Sequence, residues 1–259
     1  MKVLVIGGGG REHAVVKKLS ESPKINKIYC APGNAGISQI AQCVNIKATD
    51  IDGILKFVDE NPMDMVIVTP DDPLALGLVD KLNEKKIRAF GSVAKAAELE
   101  SSKAFSKNLM KKYKIPTGDF EIFDNAENAL KYLKDKKYPL VIKASGLALG
   151  KGVIIVSDQA QAIETIDQMM RNDIFGASGH TVIIEEFLQG PEVTVLAFTD
   201  GDTIKTMPSS QDHKRALDND KGLNTGGMGA FSPSRHYTKD IEDYCINNIF
   251  YPTIKAMKK

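Results

Sequence analysis

Short, uninterrupted apolar runs alternating with segments of helical period fill roughly the first 95 residues, and that rhythm leaves few folds open. Val3-Leu-Val-Ile6 reads as a buried strand, Arg11 to Ser20 as a helix, Lys27 to Cys30 as a strand, Ile54 to Glu60 as a helix and Asp64 to Thr69 as another strand. A strand with one wet face alternates polar and apolar residues; these are apolar at consecutive positions, as strands covered on both faces are. The expectation is an α/β fold that opens with a doubly wound parallel sheet, whose ligands sit at the carboxyl ends of its strands.

A helix is predicted over Ser101 to Tyr113, ending before the breaker Ile115-Pro116-Thr117-Gly118. A smaller lobe follows: a strand near Phe120 to Phe123, a helix from Ala126 to Lys136, a strand-loop-strand unit, a helix from Gln159 to Met170 and a strand from Thr181 to Glu186. Glu192 to Phe198 reads as an apolar strand that turns at Asp200-Gly201-Asp202 into Thr203 to Met207. Pro208 to Pro233 is polar, glycine-rich and without clear period, a length uncommon in a compact domain unless it is functional or disordered. A last helix starts near Thr238 and is interrupted at Pro252.

The strand-loop-strand unit, Lys143-Ala-Ser-Gly-Leu-Ala-Leu-Gly-Lys-Gly-Val153, sets a lysine on an apolar strand, then a loop with Gly146, Gly150, Gly152 and a second cation, Lys151. Strand, flexible cationic loop and strand make a phosphate cover. It is not a Walker A loop, because Gly152 leads into the β-branched run Val153 to Val156 rather than into a helix. Lys143 would be expensive to bury without an anion; Lys103 and Lys151 are as readily solvated.

Composition narrows the partners. Lys and Arg total 34 against 33 Asp and Glu, a formal charge of +1, which gives no electrostatic reason to expect nucleic acid or an anionic membrane. No apolar run approaches the roughly 20 residues of a membrane span, and the apolar start is too short for a signal peptide. Cys30, Cys43 and Cys245 lack CxxC spacing, which points to reduced thiols in a cytoplasmic setting rather than to zinc or disulfides. Small molecules are the default ligands.

Gly7-Gly-Gly-Gly10, between a strand and a helix, has the make-up of an anion-binding turn, with Arg11 and His13 the side chains most able to join it. The dinucleotide fingerprint is broken, since its third glycine falls on Glu12 or His13. Pro32-Gly33-Asn34 could meet the same ligand but is first a turn signal. Asp71 and Asp72 could contact an amine or hydroxyl, or cap the next helix. Glu185-Glu186-Phe187-Leu188, with Glu192 further on, offers backbone groups and apolar faces for a base and a carboxylate for ribose; an acidic strand end with a surface turn is the equal alternative. Ser209 to Arg215 and Asn224 to Phe231 crowd amide, carboxylate, imidazole and cations among glycines. His213 beside Asp212 is a poor general base, because adjacent residues seldom hydrogen-bond usefully.

Taken in order, Gly7 to His13 with Pro32-Gly33-Asn34, Ser102-Lys-Ala-Phe105, Lys143 to Val153, Ser210 to Arg215 and Asn224 to Phe231 resemble the ATP-grasp superfamily and, within it, the glycinamide ribonucleotide synthetase family, from Met1 to Lys259. The resemblance implies a Rossmann-like preATP-grasp domain with its linker helix over 1–118, a small ATP-grasp lobe over 119–189 and the beginning of the large lobe over 190–259, so that the ATP-grasp α+β domain is incomplete. It implies ATP held with Lys103, Lys143 and Lys151 as the catalytic cations on its phosphates and Gly146, Gly150 and Gly152 in the covering loop. Glu185, Glu186, Phe187 and Leu188 would hold adenine and Glu192 the ribose. The substrate side would fall on Gly8, Gly9, Gly10, Arg11, Gly33, Asn34 and Asp71, facing Asp212, His213, Lys214, Asn224, Thr225, Gly226 and Gly227.

The implied reaction joins glycine to 5-phosphoribosylamine through a glycyl phosphate, giving glycinamide ribonucleotide, ADP and phosphate for purine synthesis. It needs no protein nucleophile, only positioning and charge neutralisation. Glycine, 5-phosphoribosylamine and ATP are the expected partners, with no nucleic acid or membrane, and a monomer is the expected full-length form. Magnesium or manganese is implied with ligands beyond residue 259, none being expected in this chain; the chain therefore reads as C-terminally truncated, inactive alone, with an apolar surface where its sheet should continue. Two departures touch the substrate contacts: Asp71 stands where the family carries Glu, and Ser145 where it carries Asp. Another ATP-grasp carboxylate-amine ligase and a non-catalytic nucleotide-binding module are the rival readings; Asn224-Thr-Gly-Gly-Met-Gly229 favours the glycinamide family over the first.

Overall fold

The computed structural model describes residues 1–148, 152–218 and 221–259, with the backbone alone for Leu223 and Asn224. It forms two compact units, Met1–Ser102 and Lys103–Lys259.

The first unit is built on a five-stranded parallel sheet of order β3-β2-β1-β4-β5, with β1 at Lys2–Gly7, β2 at Lys27–Pro32, β3 at Gln42–Cys43, β4 at Met65–Val68 and β5 at Ala89–Phe90. The reversal of order at β1 makes the doubly wound sheet expected. Helices α1 (Gly10–Ser20), α2 (Ile51–Glu60), α3 (Asp71–Ala75), α4 (Leu78–Glu84) and α5 (Ala94–Ser101) complete it. The continuous apolar strands have a direct explanation. Leu4, Ile6, Val66 and Val68 pack with Ile54, Leu78 and Leu82 in one cluster, while Val3, Val5 and Ile67 pack with Val16, Ile28 and Ile37 in another. Both faces are dry, and each such side chain contributes about 1.5–3 kcal/mol by its burial.

The second unit starts with α6 (Lys103–Tyr113) and holds a four-stranded antiparallel sheet of order β6-β9-β7-β8: β6 at Phe120–Phe123, β7 at Leu140–Ala144, β8 at Val153–Val156 and β9 at Val182–Glu186. Helices α7 (Ala126–Leu133) and α8 (Gln159–Ile166) cover one face, burying Leu133, Ile142, Ile166, Met169 and Ile184. Asn125 caps α7 through the Asn128 amide at 3.0 Å and Asp158 caps α8 through the Gln161 amide at 2.9 Å, which explains why both helices start where they do. The helix expected over Ser101 to Tyr113 is α6, which starts at Lys103 in the second unit, Ser101 being the last residue of α5.

Past β9 the structure corrects three expectations. The strand expected over Glu192 to Phe198 shrinks to β10 (Ala197–Thr199), which pairs with β11 (Ile204–Thr206), while Thr194 bridges alone to Ser210. A strand is made by its partner, and an apolar run without one along its length stays irregular. The turn between β10 and β11 is as expected, with Asp200 accepting from the amides of Asp202 and Thr203 at 3.0 and 2.7 Å.

The glycine-rich stretch after it is not one loop. It contains two short ladders: β12 (Gln211–Asp212) with β15 (Ala230–Phe231), and β13 (Arg215–Leu217) with β14 (Lys221–Asn224). Pro252 does not stop the last helix. α9 (Lys239–Cys245) passes through a π-type turn, Ile246–Phe250, into α10 (Tyr251–Met257); wider hydrogen-bonding just before a residue with no N–H lets the backbone stay helical. Among the described residues no helix is long and apolar enough to cross a membrane.

Candidate active site

The strand that carries Lys143 is otherwise buried at Leu140, Val141, Ile142 and Ala144, and its antiparallel neighbour β9 sets Lys143 opposite Ile183. Lys143 reaches across to Glu185: its Nζ lies 2.9 Å from Glu185 Oε2. The anion that the sequence demanded for this lysine is therefore, in the structure, a protein carboxylate. Lys107 of α6 lies 3.0 Å from the same oxygen. The Lys107 and Glu185 side chains are 11% and 8% exposed, that of Lys143 26%. Lys107 also donates to Thr117 Oγ1 at 2.7 Å and to the Gly118 carbonyl at 3.4 Å. Glu185 Oε1 is buried and has no hydrogen-bond partner among the described residues. Two ammonium groups against one carboxylate leave a local excess of one positive charge in a poorly solvated place, which favours an incoming polyanion.

Ser145 joins this cluster to α6. Its carbonyl accepts from the Lys103 amide at 2.8 Å and its Oγ from the Ala104 amide at 3.1 Å, so Ser145 supplies acceptors to the first turn of a helix remote in sequence. Lys103 Nζ donates to the Gly146 carbonyl at 3.0 Å. Gly146 is held too closely for a side chain, because a Cβ there would meet Ser178 Oγ at 2.5 Å and Ser178 Cα at 2.9 Å. Ser178 Oγ in turn donates to the Leu147 carbonyl at 2.8 Å. At the far root of the loop, the Gly152 carbonyl accepts from the Ala144 amide at 2.8 Å. Gly150 and Lys151, expected over the phosphates, lie outside the described residues.

The proposed adenine strip runs out of β9. Glu186 is exposed and accepts from the Asp119 amide at 3.0 Å, Phe187 is half-buried, and Leu188 is 67% exposed. Glu192 forms an ion pair with Lys214. Lys214 lies in a tightly bonded segment: its carbonyl accepts from both the amide and the hydroxyl of Thr225, at 2.7 and 2.8 Å. His213 exchanges backbone bonds with Gly229 and Met228, at 2.9 and 2.8 Å, and its ring lies 5.7 Å from that of Phe231. Asp212 pairs with Ala230 across the ladder. Gly226 and Gly227 are exposed, and the Gly227 φ of 111° needs glycine. The expected residues Asp212 to Lys214 and Thr225 to Gly227 are thus neighbours.

In the first unit, the glycine turn is closed by the protein itself. Glu12 is 6% exposed; one of its oxygens accepts from the Gly9 amide at 2.7 Å and the other from the Thr69 hydroxyl at 2.7 Å. One of the amides expected to face an anion is engaged by this carboxylate, which stands where a dinucleotide fingerprint would have glycine. Asn34 donates to the Gly8 carbonyl at 2.9 Å and accepts from the amides of Gly36 and Ile37, both at 2.9 Å. The Gly33 amide donates to the Gly7 carbonyl at 3.1 Å. Gly8, Gly33 and Asn34 therefore come together at the carboxyl ends of β1 and β2, while Gly10 and Arg11 are exposed at the start of α1. Asp71 is exposed in the first turn of α3. The Cys30 thiol, pushed up to about 12 by burial, donates to the Gly7 carbonyl at 3.3 Å behind the turn.

Sequence reasoning passed over Lys107. It stands in a helix with Lys103, Lys111 and Lys112, where lysines are ordinarily solvated. A signal was present only in its spacing, one helical turn after Lys103.

Residues 1–100 match the family model described as phosphoribosylglycinamide synthetase, N domain, and residues 101–259 the one described as phosphoribosylglycinamide synthetase, ATP-grasp (A) domain. The chain is 49% identical over 259 residues to phosphoribosylamine-glycine ligase of Caldanaerobacter subterraneus, covering 100% of this chain and 62% of that protein. Its identity with the Escherichia coli protein of the same name is 45%, over 99% of this chain and 60% of the relative. The crystal structure of phosphoribosylamine-glycine ligase from Thermotoga maritima superposes with a TM-score of 0.84 at 30% identity, over 99% of this chain and 61% of that one. The biotin carboxylase domain of Hydrogenobacter thermophilus 2-oxoglutarate carboxylase, solved with MgADP, shares the fold at a TM-score of 0.72 and 18% identity. The chain thus spans about 60% of the length of the curated relatives it matches.

Proposed function

Because the chain belongs to the phosphoribosylglycinamide synthetase family, we propose that it serves the ATP-dependent ligation of glycine to 5-phosphoribosylamine in purine synthesis. A glycine carboxylate oxygen attacks the γ-phosphorus and ADP leaves. The amine of 5-phosphoribosylamine then attacks the acyl carbon of glycyl phosphate, phosphate departs, and the nitrogen loses a proton to give the amide. Neither step requires a covalent bond to the protein, so the chain's task is to bind, align and neutralise charge. Its small charged substrates suit a cytoplasmic setting.

The observation that carries this reading is the Lys107–Glu185–Lys143 cluster. It joins excess positive charge to a buried acceptor, Glu185 Oε1, that has no partner among the described residues. A purine amino group could fill that acceptor while the triphosphate draws on Lys143 and Lys103, with Gly146, Gly150, Lys151 and Gly152 as the other proposed nucleotide-binding residues. Phe187 and Leu188 would flank the base. Lys214, paired with Glu192, leaves that carboxylate available to ribose only after rearrangement. Asp212, His213, Asn224, Thr225, Gly226 and Gly227 are the proposed substrate-facing residues of this unit, and Gly8, Gly9, Gly10, Arg11, Gly33, Asn34 and Asp71 those of the first. The family implies a divalent metal with ATP. Among the described residues no group of three or more His, Cys, Asp or Glu could hold one.

The test is ATP binding by calorimetry, together with ADP release measured while each substrate is omitted in turn. Binding by the wild type that weakens at least about tenfold in Lys143→Ala, as loss of a buried charged contact should produce, supports the nucleotide reading. ADP release that needs both glycine and 5-phosphoribosylamine supports the reaction. A wild-type chain that binds no adenine nucleotide refutes the site.

A further inference from the structure

We propose that Lys107 is a positioning residue of the nucleotide site: it keeps Glu185 charge-compensated, so that Lys143 can leave that carboxylate for a phosphate. The inference rests on the nucleotide reading above.

Two lysines share one oxygen, Glu185 Oε2, at 3.0 Å from Lys107 and 2.9 Å from Lys143. They are not equally held. Lys107 has three acceptors, Glu185 Oε2, Thr117 Oγ1 and the Gly118 carbonyl, which matches the three protons of an ammonium group. Its Nζ also lies 5.1 Å from the centre of the Phe120 ring, within cation–π range. Lys143 is the more exposed of the two. Crowding two cations on one oxygen raises the energy of both and costs the less anchored one less to move.

A carboxylate as buried as Glu185 cannot lose its last counter-ion cheaply. If Lys143 were that counter-ion, each nucleotide would have to pull it away against the full cost of stranding a buried charge. With Lys107 in place the carboxylate stays paired whichever way Lys143 points. The cluster therefore works as a charge exchange: Lys107 is permanent, Lys143 is shared between the resting carboxylate and the phosphates. The role differs from direct phosphate contact, because it acts only through Glu185.

The experiment is a double-mutant cycle on the full chain, with ATP and adenosine as probes and circular dichroism as the check on folding. In Lys107→Met, Lys143 is pinned as the sole cation of Glu185. ATP affinity is expected to fall about tenfold or more, with adenosine, which has no phosphate, changing far less. Adding Glu185→Gln removes the charge that pins Lys143, so Lys107→Met/Glu185→Gln should bind ATP within about twofold of Glu185→Gln alone. That comparison stands even if the single Lys107→Met chain does not fold. Wild-type affinity in folded Lys107→Met, equal losses for ATP and adenosine, or a double variant much weaker than Glu185→Gln overturns the proposal. Absence of ATP binding by the wild type removes the nucleotide reading and this inference with it.

Discussion

Ser145→Ala tests whether one hydroxyl anchors the helix that carries Lys103 and Lys107. Ser145 is 8% exposed and its Oγ accepts from the Ala104 amide at 3.1 Å. Alanine keeps the Lys103 amide bond to the residue 145 carbonyl, at 2.8 Å in the present chain, but deprives the Ala104 amide of its acceptor. Loss of such a cap costs about 0.5–2 kcal/mol, and an amide left unsatisfied in a poorly solvated place pushes towards the upper end. At about 2–4 °C per kcal/mol for a unit of this size, the melting temperature should fall by roughly 2–8 °C. Ser145→Asp, the residue expected in the family, puts a charged acceptor at the same helix N-terminus. It gains about 0.3–1 kcal/mol from the helix dipole, offset in part by desolvation, and should melt well above the alanine variant. Calorimetric melting of the three chains, with hydrogen exchange at the Ala104 amide, reads both effects. Ser38→Ala, which removes an exposed hydroxyl bonded to the Ala35 carbonyl, is the control. An alanine variant that melts with the wild type, or Ala104 protection unchanged, would refute the capping role and with it the idea that Ser145 sets the position of the two lysines.

Three further outcomes follow from local geometry. Gly8→Ala drives a Cβ to 2.5 Å from the Gly33 carbonyl oxygen, whereas a Cβ at Gly10 meets nothing within 4 Å; the first should cost about 1–3 kcal/mol in urea unfolding and the second should be neutral or stabilising, and equal effects would contradict the close approach of the two turns. Gly146→Ala, facing the Ser178 backbone at 2.9 Å, should lower stability by a similar ~1–3 kcal/mol and weaken ATP binding; a variant that keeps both would show the loop root to be looser than described. Burial raises the Cys30 thiol from 9.0 to about 12, so iodoacetamide at pH 8 should alkylate Cys30 only after unfolding, as peptide mass mapping would show. Because the folded value lies above the unfolded one for an acid that must stay neutral, the stability linked to this thiol is intact below pH 9.0 and lost as pH rises towards about 12.

What the sequence could show depended on how locally each feature is determined. β1, β2 and β4 were legible because both faces of each are buried, and consecutive apolar residues record that directly. β3 and β5 have two residues each, too few to carry a period, and exist because a longer neighbour offers its edge. The Glu192 to Phe198 run failed in the opposite way: its composition suits a strand, yet Leu196 and Phe198 remain exposed, and the ladder starts at Ala197 with an isolated bridge from Thr194 to Ser210 ahead of it. The short ladders between Gln211 and Phe231 have no period to read, being set by turns and backbone exchange such as that of His213 with Gly229 and Met228. The same division separates the two lysines. Lys143 stood out because its own strand neighbours are apolar, so the need for an anion was written locally. Lys107 looks like any solvated helical lysine until β9 delivers Glu185, and Thr117 and Gly118 close around it. A charge whose environment is assembled by distant segments leaves no mark in the residues beside it. The buried carboxylate offers the better place to begin such a search, since Glu185 at the end of an apolar strand already requires a cation from somewhere, and the fold supplies two.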